Sequence, residues 1–154
     1  MSPKLQSAIR QTRPFESLEQ EVSLTLTRLA SDLNAGQADL LRESGITWTQ
    51  YNALRILRGA EGSPLSCGEI GERMISRDSD VTRLLDRLEK QALVRRERDE
   101  RDRRVVKTRI TAKGIELLAE LDKPVSDMHN RQLGHLGATK LQTLLTLLEE
   151  AGEP

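Results

Sequence analysis

Between Arg95 and Lys113 the chain carries a run of charge that contains an arginine-dense turn, Arg101 to Arg104, and a strand-like exit, Val105 to Ile110. Along that exit Val106, Thr108 and Ile110 alternate with Val105, Lys107 and Arg109, so one face supports the turn and the other can be charged. Val94 to Arg98 reads as the strand leading in. Two short strands around an Asp99 to Arg104 loop make a basic β-hairpin.

The segments on either side read as helices. Ser17-Leu18-Glu19-Gln20 has the form of a capping box, and behind it Leu18, Val22, Leu26, Leu29 and Leu33 recur at spacings of three or four. The polar stretch Asn34 to Asp39 leaves open whether that helix continues, and Gly45 ends the region. The same cap recurs at Thr47 to Gln50, Ser66 to Glu69 and Thr139 to Gln142, each before an apolar-periodic run. These predict helices over about 48–58, 67–74 and 140–151. A further helix starts near Asp78 or Ser79 with Val81, Leu84, Leu85 and Leu88 inward, and another spans about 112–133, bent at Pro124. Residues 1 to 14 show no period and read as a loosely ordered arm.

Composition narrows the partners. The 154 residues suit one domain, or a small domain with an oligomerisation element, and 36% hydrophobic content suffices for a modest core. Zero formal net charge argues against a nonspecific nucleic-acid coat or a polybasic membrane binder. The charge is nevertheless uneven: Arg73 to Lys113 holds 14 Lys or Arg against 8 Asp or Glu, and 11 of those 14 are arginine. Its planar fork suits phosphate and base edges better than an ammonium does. No apolar run approaches the roughly 18 residues of a membrane span, and Met1 to Pro14 lacks the apolar core of a signal peptide, so export is not expected. A single cysteine, Cys67, agrees with a reducing compartment, and the expected location is the cytoplasm.

From Ser66 to Gln91 the chain has helix-turn-helix proportions: a short helix, a break at Ile75 to Arg77, then a longer helix. In such a pair the N-terminal half of the second helix enters the major groove, which is wide enough for one helix. Arg77, Asp78, Ser79, Asp80, Thr82 and Arg83 lie there, opposite the inward leucines. A merely solvated charged face is the competing reading of this segment alone. With the basic hairpin behind it, the pair gives the outline of a winged helix-turn-helix.

Asp80 to Glu89 (Asp-Val-Thr-Arg-Leu-Leu-Asp-Arg-Leu-Glu), Leu93-Val94, and Asp102-Arg103-Arg104 six residues before Ile110-Thr111, with Lys113-Gly114 beyond, resemble the MarR family of bacterial transcriptional regulators. The family's wing signature is Asp, any residue, Arg, then a short strand ending in Leu-Thr; Ile110 stands for the leucine here. The resemblance implies a mainly α fold with a small β-hairpin wing, in an intertwined homodimer joined through its N- and C-terminal helices. The implied organisation is a flexible arm over 1–16, a dimerisation helix over 17–45, a winged helix-turn-helix over 46–114 and C-terminal dimerisation helices over 115–154. Such a dimer reads a pseudo-palindromic operator in double-stranded DNA, and a small aromatic or phenolic effector releases it.

Carried to matching positions, the resemblance has Arg104 enter the minor groove, where it responds to the enhanced negative potential of a narrow groove. Asp102 would hold and orient its guanidinium, and Arg101 and Arg103 would contact phosphate or stay solvated. In the preceding helix Asp80, Thr82 and Arg83 would lie near base edges, with Arg77, Ser79 and Arg87 toward phosphate. A carboxylate there can accept from a cytosine amine; Asp78 or Asp80 can equally serve as a helix cap. Ser66 either bonds a phosphate or only caps the helix it starts. Trp48 and Tyr51 either line the effector crevice or pack in the core. Cys67, at a helix start that lowers a thiol pKa, is a redox candidate or a small buried hydrophobe.

No enzyme is expected. His129 and His135 are six apart rather than the four of a helical metal pair, with no Cys or carboxylate cluster beside them, so no metal or cofactor is anticipated. The rival function is a winged-helix module used for protein assembly, without sequence-specific DNA binding.

Overall fold

Side-chain caps start most of the helices. The computed structural model describes residues 3–77 and 79–153. Thr47 accepts from the Gln50 amide while Gln50 accepts from the Thr47 amide, opening α3 (Trp48–Gly59) with a complete capping box. Ser66 and Glu69 make the same reciprocal pair at α4 (Cys67–Arg73). Asp80 caps α5 (Val81–Lys90), and Thr111 caps α6 (Ala112–Leu133). Each cap satisfies amides that a helix start otherwise leaves open.

The earlier helices depart from expectation in small ways. A short helix, α1 (Pro3–Ala8), lies in the segment read as a loose arm; at six residues it is too short to display a period. In α2 (Leu18–Leu41) the Ser17 hydroxyl accepts from the Gln20 amide, but the Gln20 side chain reaches the Glu16 amide rather than that of Ser17. The polar stretch Asn34 to Asp39 does not interrupt this helix. Two compact units divide within α2, one comprising Met1–Gln37 and the other Ala38–Pro154.

The second unit contains the winged lobe, mainly α with a three-stranded antiparallel sheet. Strand β2 (Val94–Arg98) pairs with β3 (Val106–Ile110) from Val94 opposite Ile110 to Arg98 opposite Val106. A strand not foreseen, β1 (Leu65–Ser66), adds to the far edge of β3. Two residues are too few to carry an alternation, and only the partner strand defines them. The exit strand begins at Val106 rather than Val105, because the Val105 amide and carbonyl are spent closing the turn.

Leucines from α3, α5 and the first half of α6, with Ile70 of α4, join residues of this sheet in one core. Leu54, Leu57, Ile70, Leu85, Leu88 and Leu118 are essentially inaccessible, joined by Leu93, Val94 and Ile110. Among the polar groups, Thr108 is fully buried on β3 and its Oγ1 has no hydrogen-bond partner among the described residues. An unpaired hydroxyl in an apolar site costs more than a methyl of the same shape. Thr108→Val is therefore expected to raise stability by about 1 kcal/mol, seen as a higher urea midpoint at unchanged slope; a lower midpoint would show that the hydroxyl has a partner.

The C-terminal helix starts earlier than predicted. A 3-10 turn (Gly134–Leu136) leads into α7 (Gly137–Gly152), so Thr139 already lies inside the helix and the expected Thr139–Gln142 box does not form. No residue of α7 is buried, and Leu145, Leu147 and Leu148 are exposed. The α6 helix runs through Pro124 as one continuous element. Among the described residues, no helix is long and apolar enough to cross a membrane.

Candidate nucleic-acid interface

Helices α4 and α5 form the helix-turn-helix, and the turn between them is tied to the lobe. The Ile75 amide donates to Asn52 Oδ1 of α3 at 3.0 Å, and Gly71 lies close enough to Val81 for an added Cβ to sit 3.6 Å from its methyl. Leu84, Leu85 and Leu88 face the core, with Val81 packed at its margin. The opposite face presents Thr82, Arg83 and Arg87 to solvent. This is the amphipathic division expected of a groove-reading helix.

The residues before α5 are arranged less simply. Asp80 is the N-cap, its Oδ1 accepting from the Arg83 amide at 3.1 Å and its Oδ2 lying 3.9 Å from Arg83 Nε. Of the two roles open to Asp80, capping is the one its geometry displays. Arg77 is exposed on the turn, and Asp78 lies outside the described residues. Ser79 Oγ is buried without a partner among the described residues, so it is not presented outward for a phosphate. Ser66 Oγ accepts from the Glu69 amide at 3.2 Å, so capping is the role its geometry displays.

The wing is a tightly bonded loop. The Asp99 amide donates to Val105 O and the Val105 amide to Asp102 O, both at 2.9 Å. Asp99 Oδ1 accepts from the amides of Arg101 (2.7 Å) and Asp102 (3.2 Å), and its Oδ2 lies 2.5 Å from Lys107 Nζ. The Lys107 ammonium, then the two amides, pull the Asp99 pKa down to about 2. Asp102 Oδ1 accepts from the Arg104 amide at 3.0 Å. The carboxylate expected to hold the Arg104 guanidinium thus holds its backbone. Arg101, Arg103 and Arg104 are all exposed, and none of their guanidinium groups is in an ion pair among the described residues.

Other arginines of the basic run are committed to the lobe. Arg96 joins the sheet to α5, 2.7 Å from Asp86 and 2.6 Å from Glu89. Its hydrogen bonds hold the Glu89 carboxyl below the usual range. Arg109 bonds Glu97 at 3.2 Å and the Gly62 carbonyl, and Arg95 lies 3.3 Å from Glu97. Residue counts cannot separate these anchors from the free cations of the turn, because the difference lies in which carboxylate the fold places alongside. Asp99, Lys107 and Arg96 were therefore missed as organising residues. Asp99 followed at two and three residues by amides it can cap was the available local signal.

The candidate effector residues sit together. Tyr51 is buried in the core; Trp48, partly exposed, stacks on it with centroids 4.9 Å apart and meets His129 edge-on at 6.0 Å. Cys67 is partly buried against the core. His129 and His135 belong to no cluster of three metal-ligating side chains among the described residues.

Comparison with known proteins agrees with this geometry. The MarR family model matches residues 46–106. A crystal structure of the MarR transcription factor from Planctomyces limnophilus is 38% identical, covers 88% of this chain and 98% of its own, and superposes with a TM-score of 0.69. The HTH-type transcriptional regulator TtmR of Methylorubrum extorquens is 35% identical over 107 residues, covering 70% of this chain; the chain spans only 54% of that relative's length. A mutant MarR of Escherichia coli, complexed with operator DNA, shares the fold at 23% identity and a TM-score of 0.78, over 90% of this chain and 100% of that one. With a relative 38% identical along nearly its whole length, the winged lobe and its wing motif place the chain in the MarR family of transcriptional regulators.

Proposed function

We propose that this protein is a repressor that binds a pseudo-palindromic operator as a homodimer, with α5 of each copy in the major groove and the wing in the adjacent minor groove. The observation that carries this reading is the wing. Three exposed arginines, in no ion pair among the described residues, stand on a loop whose backbone is bonded internally, beside a helix that turns Thr82, Arg83 and Arg87 outward. Arg104 reads groove width and potential, Arg101 and Arg103 meet phosphate, and Thr82 and Arg83 lie nearest the base edges. Arg77 and Arg87 flank them toward the backbone.

The homodimer draws support from α2 and α7. Leucines that no lobe covers, Leu18 and Leu29 on α2 and Leu145, Leu147 and Leu148 on α7, are expected to be buried between copies. Release follows if a small aromatic or phenolic effector, seated beside Trp48 and Tyr51, binds better to a dimer whose recognition helices are wrongly spaced; its differential affinity sets how far DNA binding falls.

Salt dependence separates this from an assembly module. For a DNA reader making about six phosphate contacts, log affinity should fall linearly with log salt, losing about a thousandfold between 50 and 200 mM. Fluorescence anisotropy with a labelled duplex, selected by the protein from a random-sequence pool, measures it. An absence of duplex binding at low salt would favour the assembly module.

A further inference from the structure

We propose that Asp99 is the positioning residue of the wing: its carboxylate, seated inside the turn, fixes the backbone that presents Arg101, Arg103 and Arg104 to DNA. The inference rests on the wing being a DNA contact, as proposed above, and adds a residue that touches no DNA itself.

Three observations carry it. First, Asp99 Oδ1 accepts from two successive amides of the turn, those of Arg101 and Asp102, at 2.7 and 3.2 Å. Those amides belong to the residues that open the arginine segment, so the carboxylate sets the direction in which the segment leaves the strand. Second, two further bonds of the loop start from Asp102, while the Arg98 guanidinium separately donates to the Arg103 carbonyl at 3.3 Å. Asp102, placed by Asp99, offers its carbonyl to the Val105 amide and its carboxylate to the Arg104 amide. The bonds run from Asp99 to Asp102 to Arg104, and each step constrains main chain while leaving the arginine side chains free. Third, the Asp99 side chain is only 15% exposed and its second oxygen faces Lys107 on β3. A bare carboxylate beside a phosphate backbone would repel it; here the ammonium neutralises it from behind.

Of these contacts the amides matter more to function than the ion pair. The Lys107 pair neutralises the carboxylate but ties one side chain to another and fixes no amide of the turn. Two charge-assisted bonds to main chain determine a conformation, and a loop that must be ordered on binding loses affinity to that ordering.

Four variants test the proposal, using the full chain and a labelled duplex selected by the wild-type protein from random-sequence DNA. Asp99→Ala removes the acceptor and is expected to weaken binding about tenfold. Asp99→Ser, a shorter and weaker acceptor in the same turn, should fall between Ala and wild type. Asp99→Asn keeps an oxygen in place for both amides and should bind within about threefold of wild type, with the Arg101 and Asp102 amide resonances near their wild-type NMR positions. If Ala and Asn lose affinity equally, the Lys107 pair is what matters and the proposal fails. It fails too if both bind more tightly, since Asp99 would then act only as a repelling charge. Arg104→Ala separates the two levels of the argument. A loss there with wild-type binding by Asp99→Ala overturns the role of Asp99 alone; wild-type binding by Arg104→Ala overturns the wing contact and the Asp99 role with it.

Discussion

Arg104→Ala is expected to weaken binding to the selected duplex by about ten- to a hundredfold while leaving the mass of the protein in solution unchanged. The lower figure corresponds to about 1.4 kcal/mol for one lost contact; a dimer loses that contact twice, once in each minor groove, which gives the higher figure. The effect should be largest on duplexes with narrow A-tract minor grooves and smaller where the groove is wide, because the potential that attracts the guanidinium follows groove width. Fold should be indifferent. Arg104 is exposed at the tip, and what the loop uses of it is its amide, which alanine keeps. Anisotropy titrations on both duplex types, with light scattering for mass, check the result. Equal affinity of variant and wild type on A-tract DNA would take the wing out of the mechanism.

Gly114→Ala is expected to destabilise the lobe by about 2 kcal/mol. Intrinsic helix preference alone predicts the opposite sign, since alanine is favoured over glycine in a helix by about 1 kcal/mol. Packing outweighs it. A Cβ on Gly114 would lie 2.5 Å from the Leu93 carbonyl oxygen and 2.7 Å from Ile110 Cγ1. Neither neighbour yields easily: that carbonyl accepts the Thr111 amide at 3.1 Å, and Ile110 is buried in the core. Overpacking of this kind costs about 3 kcal/mol, which leaves the net loss stated. Urea denaturation should show a lower midpoint at unchanged slope. A variant as stable as wild type would mean that α6 can shift away from Leu93 and Ile110 without cost.

The strength of local signals explains what could be read early. The boxes at Thr47 and Ser66 formed as read because a cap involves residues three apart and little else. The same pattern at Thr139 failed because the preceding turn at Gly134–Leu136 had already started the helix, a fact of context rather than spacing. Leu84, Leu85 and Leu88 point inward as their period requires. At the wing, the two strands of the hairpin were legible from alternation and the loop between them, whereas their register and the two-residue β1 were not.

What the amino-acid sequence determined by itself was the longer helices, the two strands of the hairpin and the concentration of arginine between them, because helical period, strand alternation and capping are properties of neighbours along the chain. What only the tertiary structure decided was the division of labour among the charges. Arg96 and Arg109 belong to the same basic run as Arg101 and Arg104, and nothing in the sequence says which of them are paired. The fold places Asp86, Glu89 and Glu97 against the first pair and, among the described residues, no carboxylate against the guanidinium groups of the second. It also turned Asp102 toward an amide and put Asp99 beneath the loop. An ion pair is a through-space match between groups whose separation along the chain is arbitrary, and so which arginines of the run are held by the lobe was decided only by the fold.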